Sequence, residues 1–378
     1  MRDSTTEAAR RARFGLYSRT SPPRTQPLQT PAPDGQARPA AQRTQAARPR
    51  LGWPLRPLLH RALLRGLRAP RMAHDPPIAR LAQGARHAAR LETLRLRGAR
   101  GQTLAAWLLI PDVRLPAHES AGAERPGAEK PASGRCGTGR PASEGPAPGP
   151  AAPRLPAVLA MHGWGANAST LWPAVDPLLA AGFAVMLLDA SCHGESGDEA
   201  FTSLPRFAED IATALEALCA HPEVDRGRIA LLGHSVGAGA ALLHAARSAE
   251  DPAAGPCPVR AVVSLSAFAH PAEMMQRWMV EHRIPRRVLG NAILGHVQEV
   301  IGERFERIAP VNTIAALACP VLLVHGRHDA TVPMADALRL RDAQPRAELL
   351  VVDADHDLRA ALAPQGARIV EFLEQALG

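Results

Sequence analysis

Short apolar runs recur along the chain after residue 90, and patterns of helical length separate most of them. Leu91–Arg97 alternates apolar and polar residues, and a turn at 98–102 leads into Thr103–Ile110, which predicts a β-hairpin. The remaining apolar runs are predicted to be buried strands: Ala157–Met161, Phe183–Leu188, Ile229–Leu232, Ala261–Leu265, Val321–Val324 and Glu348–Val352. Buried strands that alternate with helices predict an α/β fold with a mostly parallel eight-stranded sheet, covered on both faces.

The helical patterns fall into two groups. Leu204–Ala220 places Phe207, Ile211 and Leu215 on one face, and Ala367–Leu377 is predicted to be the closing helix. Between Ala267 and Cys319 the succession of strands is interrupted by about fifty residues of helical pattern. We interpret residues 267–318 as a helical cap over the sheet.

The start of the predicted cap is rich in methionine and tryptophan and poor in charge. Met274, Met275 and Trp278 fall in this stretch. Adaptable and aromatic side chains of this kind favour an apolar ligand, so we expect these three residues to bind an apolar acyl or alkyl group.

The first part of the chain has a different composition. Residues 1–86 are predicted to be a basic leader, largely disordered, because residues 1–50 have almost no large apolar side chains and contain seven prolines. At 55–68 a short amphipathic pattern predicts a helix with two interpretations: it packs on the body of the protein, or it lies on an anionic membrane surface. The main folded domain is expected over residues 87–378. The native start could also lie downstream, for example at Met72.

A second low-complexity segment lies inside the expected domain. Residues 116–156 consist mainly of Pro, Ala, Gly, Ser and Glu. Because lengthening a surface loop costs little free energy, we interpret this segment as a disordered insertion between two strands.

Charge is distributed unevenly along the chain. The formal net charge is +8, but residues 1–100 carry 21 Arg against five acidic residues, and the remainder is mildly acidic. We therefore expect no nucleic acid binding by the folded domain, although the basic arm could bind nucleic acid or a membrane surface.

The cysteines are five in number and irregularly spaced. This argues against a disulfide framework or a zinc site and is typical of a reducing compartment, so a cytoplasmic location is expected. No apolar run is long enough to span a bilayer. The histidines near the ends of the predicted strands (His162, His193, His234, His325 and His328) show no metal-ligand spacing. We expect neither a metal nor a cofactor.

The apolar run at Ile229–Leu232 leads into Gly233-His-Ser235-Val-Gly237, and a helical pattern of small residues follows. A G-x-S-x-G sequence between a strand and a helix is typical of a serine nucleophile on a tight turn. Ser235 is therefore the candidate nucleophile, and the N–H of Val236 is a candidate oxyanion donor.

Three other strand ends carry reactive side chains, and functional groups gather at the carboxyl ends of parallel strands. Asp329 follows the strand Val321–Val324, and His356 follows Glu348–Val352. The order Ser235, Asp329, His356 is the nucleophile–acid–base order of this architecture. Glycines flank Trp164 after the strand Ala157–Met161, so the Trp164 N–H is the second candidate oxyanion donor.

Together these motifs resemble the α/β-hydrolase superfamily, specifically its capped serine hydrolases in the esterase and serine aminopeptidase-like branch. The resemblance lies in HGWG, GHSVG, GRHD with its following VP, the terminal DADHD and the loop Asp189–Gly197. In that loop Ser191 and Cys192 replace the Arg-Gly that is usual in the family. The resemblance implies a Ser-His-Asp hydrolase that needs no cofactor.

The expected activity is hydrolysis of a carboxylic ester or thioester through an acyl-enzyme on Ser235. A peptidase-like amide hydrolase is the alternative within the enzyme class, and binding through the basic arm is the non-enzymatic alternative. The expected partner is a small ester or acyl substrate. The sequence leaves the physiological substrate, the oligomeric state and the place of residues 1–71 in the native protein open.

Overall fold

The computed structural model of the chain describes residues 56–112, 154–251, 257–285 and 289–378. The disorder predicted for residues 1–50 and for nearly all of the insertion at 116–156 lies outside these residues. Both interpretations stay predictions.

The described residues contain a single sheet of eight strands: β1 Ala89–Arg97, β2 Thr103–Pro111, β3 Leu155–Met161, β4 Ala184–Leu188, β5 Val224–His234, β6 Val259–Leu265, β7 Val321–Gly326 and β8 Glu348–Val352. Their order in the sheet is β1-β2-β4-β3-β5-β6-β7-β8. The pairs β1–β2 and β2–β4 are antiparallel, and the other neighbours are parallel. The predicted mostly parallel sheet is confirmed.

The central strands are buried on both faces. In β3, Leu159 and Met161 belong to one core cluster, whereas Val158 and Ala160 belong to the other. Successive side chains of a strand point to opposite faces, so a continuous apolar run supplies both cores at once. Burying each large aliphatic side chain stabilises the fold by about 2 kcal/mol relative to leaving it exposed.

Helices cover both faces of this sheet. The bounds of the helices outside the β6–β7 connection are α1 Arg56–Gly66, α2 Ile78–Gln83, α3 Val175–Ala180, α4 Leu204–Ala220, α5 Val236–Glu250, α10 Met334–Ala343, α11 Arg359–Leu362 and α12 Gly366–Leu377, with a 3₁₀ helix at Ala168–Ala174. Helices α4 and α5 contribute to one core cluster, and α3 and α12 contribute to the other. The predicted helix at Leu204–Ala220 is confirmed at both ends.

The connection from β6 to β7 forms the predicted helical insertion. It contains α6 Pro271–Glu281, α7 Asn291–Ile301, α8 Phe305–Ile308, α9 Pro310–Thr313 and a 3₁₀ helix at Ile314–Ala316. Met279 and Phe305 of this insertion are fully buried in the same core cluster as α4 and α5. The insertion is thus packed onto the body of the protein by its own apolar face.

The N-terminal helix α1 is also packed. Leu63 is partly buried against a core cluster, and His60 Nδ1 lies 3.2 Å from Nε2 of His296 on α7. These contacts support the packed interpretation of the helix predicted at 55–68.

The prediction of a largely disordered leader is wrong for residues 67–86. Ile78, at the start of α2, is only 1 % exposed and belongs to a core cluster. The stretch lacks a regular apolar period, but one buried isoleucine and several side-chain hydrogen bonds hold it against the domain that was expected to begin at residue 87.

The cysteine prediction also needs correction. Cys219, at the end of α4, and Cys257, just before β6, form a disulfide with their Cα atoms 6.4 Å apart. They lie 38 residues apart in sequence and become neighbours only through the fold. The argument for a reducing compartment therefore loses its main support. Among the described residues, no helix is both long and apolar enough to cross a bilayer.

Candidate active site

Ser235 occupies the predicted turn between a strand and a helix. It follows β5 directly and has φ 52° and ψ −113°, and α5 begins at the next residue, Val236. A positive φ is unfavourable for serine and persists only where the surroundings enforce it. The Ser235 N–H donates to the Leu265 carbonyl at 2.8 Å, and the Ser235 carbonyl accepts from the Gly239 N–H at 3.1 Å.

The two glycines of the motif are required by close backbone approach. A Cβ at Gly233 would overlap the carbonyl of Gly237, and a Cβ at Gly237 would overlap the carbonyls of Met161 and His162. The strand and the helix can therefore meet at this sharp angle only with glycine at both positions.

His356 and Asp329 meet Ser235 in a continuous line of hydrogen bonds. His356 Nε2 lies 3.1 Å from Ser235 Oγ, and His356 Nδ1 lies 2.8 Å from Asp329 Oδ2. Ser235 is 8 % exposed, and the Asp329 side chain is fully buried. The three residues come from the ends of β5, β7 and β8, and the fold brings them together as the sequence predicts.

Asp329 is held as a carboxylate by several donors. Its Oδ1 accepts from the Thr331 N–H at 2.9 Å and the Val332 N–H at 2.7 Å, while Oδ2 faces His356. Burial by itself raises the pKa of Asp329, but the hydrogen bonds from His356 and Val332 outweigh it and hold the pKa below its ordinary value. A charged Asp329 can orient an imidazole and stabilise its protonated form.

His234, inside the G-x-S-x-G motif, forms a hydrogen bond with the backbone of His356. Its Nε2–H donates to the His356 carbonyl at 2.7 Å, and burial lowers its pKa to about 4. His234 is therefore neutral near pH 7 and adds no competing positive charge beside His356.

The candidate oxyanion donors flank Ser235. A Cβ at Gly163 would stand 3.2 Å from the Cβ of Ser235, so the turn that carries Trp164 lies directly against the serine. Val236 is the first residue of α5, and amides in a first helical turn have no acceptor within the helix. Both predicted N–H groups thus belong to backbone that adjoins Ser235.

Two buried histidines, which the sequence analysis did not assign, fix the turn at Trp164. His162 Nδ1–H donates to the Gly163 carbonyl at 2.7 Å, and the Gly165 N–H donates to His193 Nε2 at 3.1 Å. Burial lowers the pKa of His162 and lowers that of His193 to about 4. Both rings are consequently neutral near pH 7, and each has one nitrogen that donates and one that accepts.

The loop Asp189–Gly197, which carries His193, is itself held by buried hydrogen bonds. Asp189 is fully buried and accepts from the Ala168 N–H and the Glu195 N–H, each at 2.7 Å. Ser191, which departs from the usual family sequence, donates from its N–H and its Oγ to the buried Asp210 at 2.8 and 2.9 Å. The loop is therefore a hydrogen-bonded support for His193.

A cavity of about 600 Å³ opens beside His356. Its lining residues include Trp164, Leu171, Asp355 and Asp357. Two of its lining residues, Pro70 and Met72, come from the N-terminal segment and were missed. The only sequence signal for them is a pair of apolar residues beside Arg71, in a stretch without a regular period.

The predicted substrate-binding residues of the insertion lie elsewhere. Met274 and Met275 are partly buried and pack against a core cluster, and Trp278 is 46 % exposed and stacks on His282. None of the three lines the cavity beside His356. Their role in substrate binding stays a prediction.

Comparison with curated proteins finds distant relatives. The chain is 25 % identical over 204 residues to the uncharacterized protein YqkD of Bacillus subtilis, a match that covers 53 % of this chain and 64 % of that protein. It is 28 % identical over 210 residues to the uncharacterized protein YfhR of Escherichia coli, with 55 % and 65 % covered. The chain thus spans just under two thirds of the length of these relatives.

Comparison with solved structures finds the same fold. The esterase Pf2001 of Pyrococcus furiosus aligns with a TM-score of 0.54 at 18 % identity, covering 82 % of this chain and 98 % of that one. Est1E of Butyrivibrio proteoclasticus with bound ferulic acid gives 0.51 at 16 %, covering 75 % and 98 %. A puromycin-hydrolyzing peptidase of Mycobacterium tuberculosis gives 0.52 at 17 %, covering 77 % and 40 %. At these identities the likeness concerns the fold alone.

A family profile provides the assignment. The profile described as "Alpha/beta hydrolase family" matches residues 157–371, more than half of the chain. The match runs from β3 to α12 and includes the strand ends that carry Ser235, Asp329 and His356. The chain therefore belongs to the alpha/beta hydrolase family.

Proposed function

We propose that this protein is a serine hydrolase that cleaves carboxylic esters through an acyl-enzyme. The observation that carries the proposal is the line of hydrogen bonds from Ser235 Oγ through His356 to the buried carboxylate of Asp329. A serine hydroxyl becomes a useful nucleophile when an adjacent base accepts its proton and a third group orients that base.

In the proposed reaction each group has one role. His356 Nε2 accepts the proton of Ser235 as Oγ attacks the carbonyl carbon, and Asp329 stabilises the resulting imidazolium. The N–H groups of Trp164 and Val236 stabilise the oxyanion of the tetrahedral intermediate. His356 then gives its proton to the leaving alcohol, and water hydrolyses the acyl-enzyme with His356 again as the base.

The cavity beside His356 favours a substrate with one apolar arm. Trp164 offers apolar surface there, and among the charged lining residues Arg359 pairs with the carboxylate of Asp357. A thioester satisfies the same requirements. Amide hydrolysis is the second candidate, because the carboxylate of Asp355 at the cavity wall could bind the free amino group of an aminoacyl substrate.

Two further expectations remain proposals: a cytoplasmic location, and a binding function in the basic arm. Disulfides are rare in reducing compartments, so the pair Cys219–Cys257 weighs against the first. Binding of the full chain to DNA and to anionic vesicles tests the second.

The central test is Ser235→Ala with p-nitrophenyl butyrate and a fluorophosphonate probe. We expect wild-type protein to be labelled at Ser235, and the variant to lose labelling and at least about 10³-fold in kcat. Ser248→Ala, on the same helix α5, is the matched control and should retain both. Full activity in Ser235→Ala would overturn the proposal. A parallel series of aminoacyl anilides decides between ester and amide by kcat/KM.

A further inference from the structure

A segment of the N-terminal region crosses the active-site face of the hydrolase body. We call residues 67–77, between α1 and α2, the strap. The Leu67 carbonyl accepts from the Thr202 N–H at 2.9 Å, and Arg68 Nε donates to the Ala200 carbonyl at 3.0 Å. The start of the strap thus lies beside residues 200–202, which come shortly after the loop Asp189–Gly197 in sequence.

Arg71 fastens the strap to that loop. Its Nη1 donates to the carbonyls of Gly194 and Ser196 at 2.8 and 2.9 Å, and its Nη2 contacts Asp198 at 2.6 Å. One guanidinium therefore binds two backbone carbonyls of the loop that contains His193.

The middle of the strap is held by buried polar groups. His74 Nε2–H donates to Asp189 Oδ2 at 2.9 Å, and both side chains are almost completely buried. Asn167 Nδ2, on the other side, donates to the carbonyls of Met72 and Ala73 at 3.1 and 3.0 Å. Hydrogen bonds between buried partners are costly to leave unmade, so this part of the strap has a fixed position.

Pro70 and Met72 face the cavity beside His356. A Cβ at Gly165 would stand 3.5 Å from Pro70 Cγ, so the proline contacts the turn that carries Trp164. Met72 lines the cavity and is 50 % exposed, although the backbone on either side of it is anchored. A substrate that entered the cavity would bury this side chain.

We propose that the strap is the specificity-determining wall of the substrate site, and that Met72 sets the size of the apolar arm that the site accepts. His328, Asp355 and Asp357 also line the cavity, but they would have to lose water against a hydrocarbon group. Pro70 and Met72 add apolar surface to that of Trp164, and Pro70 lies next to the turn that carries it. A methionine side chain fits ligands of irregular shape, but its volume limits their length. This inference rests on the proposed function.

The experiment compares Met72→Ala with Met72→Trp. Two series of esters are used, one varied in the acyl group from acetate to decanoate and one varied in the alcohol of a butyrate ester. We expect Met72→Ala to raise the kcat/KM ratio of long to short substrates about tenfold in one of the series, and Met72→Trp to lower that ratio about tenfold. The series that responds identifies the arm that contacts the strap.

Leu338→Ala is the matched control, because Leu338 on α10 is an exposed apolar residue that does not line the cavity. It should leave both series unchanged. Thermal unfolding of each variant confirms that the protein is folded, and since Met72 is half exposed, Met72→Ala should unfold near the wild-type temperature.

Labelling by fluorophosphonates of short and long alkyl chain separates this inference from the proposed function. If Ser235 is not labelled in wild-type protein, the proposed function fails. If Ser235 is labelled but the substitutions at Met72 change neither the labelling preference nor the ester series, the proposed function stands and the role of the strap is refuted.

Discussion

The strap and the helical insertion between β6 and β7 both adjoin the hydrolase body, but different forces hold them. The insertion buries Met279 and Phe305 in a core cluster. The strap is held mainly by the polar groups of Arg71 and His74, and it leaves the apolar side chain of Met72 half exposed at the cavity. The strap can therefore present an apolar side chain to a ligand at the cavity, whereas the insertion uses apolar side chains to pack on the body of the protein.

The largest expected effect concerns the pH dependence of stability at His193. Its pKa in the folded protein is about 4, because of burial, against an ordinary value near 6.5. The unfolded chain therefore binds a proton more readily, and this group reduces stability as the pH falls from 6.5 towards 4, by about 3 kcal/mol over the whole window.

His193→Asn should reduce the fall in unfolding free energy between pH 6.5 and 4, measured by denaturant titration. Burial also lowers the pKa of His234 and of His244 to about 4, and these two histidines contribute to the fall in both proteins. Burial raises the pKa of Asp210 to about 6, which makes its contribution decrease as the pH rises, but this is common to both proteins and cancels in the comparison. His282→Asn, at an exposed position on the insertion, is the control. Equal pH profiles for all three proteins would contradict the prediction.

The next effect breaks the attachment of the insertion. Arg277 Nη2 lies 2.9 and 3.0 Å from the two carboxylate oxygens of the buried Asp336. Arg277→Ala leaves this carboxylate with too few donors, and we expect about 2 kcal/mol of lost stability by denaturant titration. The kcat/KM should stay within about twofold of wild type if the insertion does not form the site.

Arg304→Ala removes an exposed arginine from the same insertion and should cost almost nothing, because exposed ion pairs contribute little. A large loss of activity in Arg277→Ala, with the protein still folded, would assign the insertion a direct part in the site.

A smaller effect is expected from breaking the attachment of the strap. Arg71→Ala removes the donors to Gly194 and Ser196. The strap is then no longer fastened to the loop Asp189–Gly197 beside the cavity. We expect kcat/KM to fall about tenfold, with a change in stability below about 1 kcal/mol. Arg71→Lys should restore little, because a single ammonium does not reproduce the planar fork of guanidinium. Unchanged kinetics in Arg71→Ala would show that the strap is dispensable for the reaction.

The smallest effect is expected at Trp278. It is half exposed on α6 and stacks on His282, away from the residues that line the cavity. Trp278→Ala should change stability by less than about 0.5 kcal/mol and should leave the preference for acyl length unchanged. If Trp278→Ala shifted that preference as much as Met72→Ala, the insertion would contact the substrate, and the predicted substrate-binding role of Trp278 would stand.

The parts of the fold that follow from local pattern were predictable. Continuous apolar runs such as Ala157–Met161 can be buried only in a covered sheet, and the glycines around Ser235 mark a turn that other residues cannot make. Asp329 and His356 were assignable because parallel strands end at one edge of the sheet, which makes their order along the chain informative.

What was missed depends on contacts between distant parts of the chain. Cys219 and Cys257 have no spacing that identifies them as a pair. His162 and His193 acquire their roles from the backbone groups of Gly163 and Gly165, which no side-chain pattern records. The sequence does not distinguish a methionine or tryptophan of the insertion that faces a ligand from one that faces the core.

The strap also has a consequence for the order in which the protein can mature. Arg71 is made before the loop that it contacts, because the carbonyls of Gly194 and Ser196 lie 123 and 125 residues later in the chain. His356 comes later still, after β8. The strap can therefore be fastened once the residues up to Thr202 have folded, whereas the cavity is complete only when β8 has emerged and paired with β7.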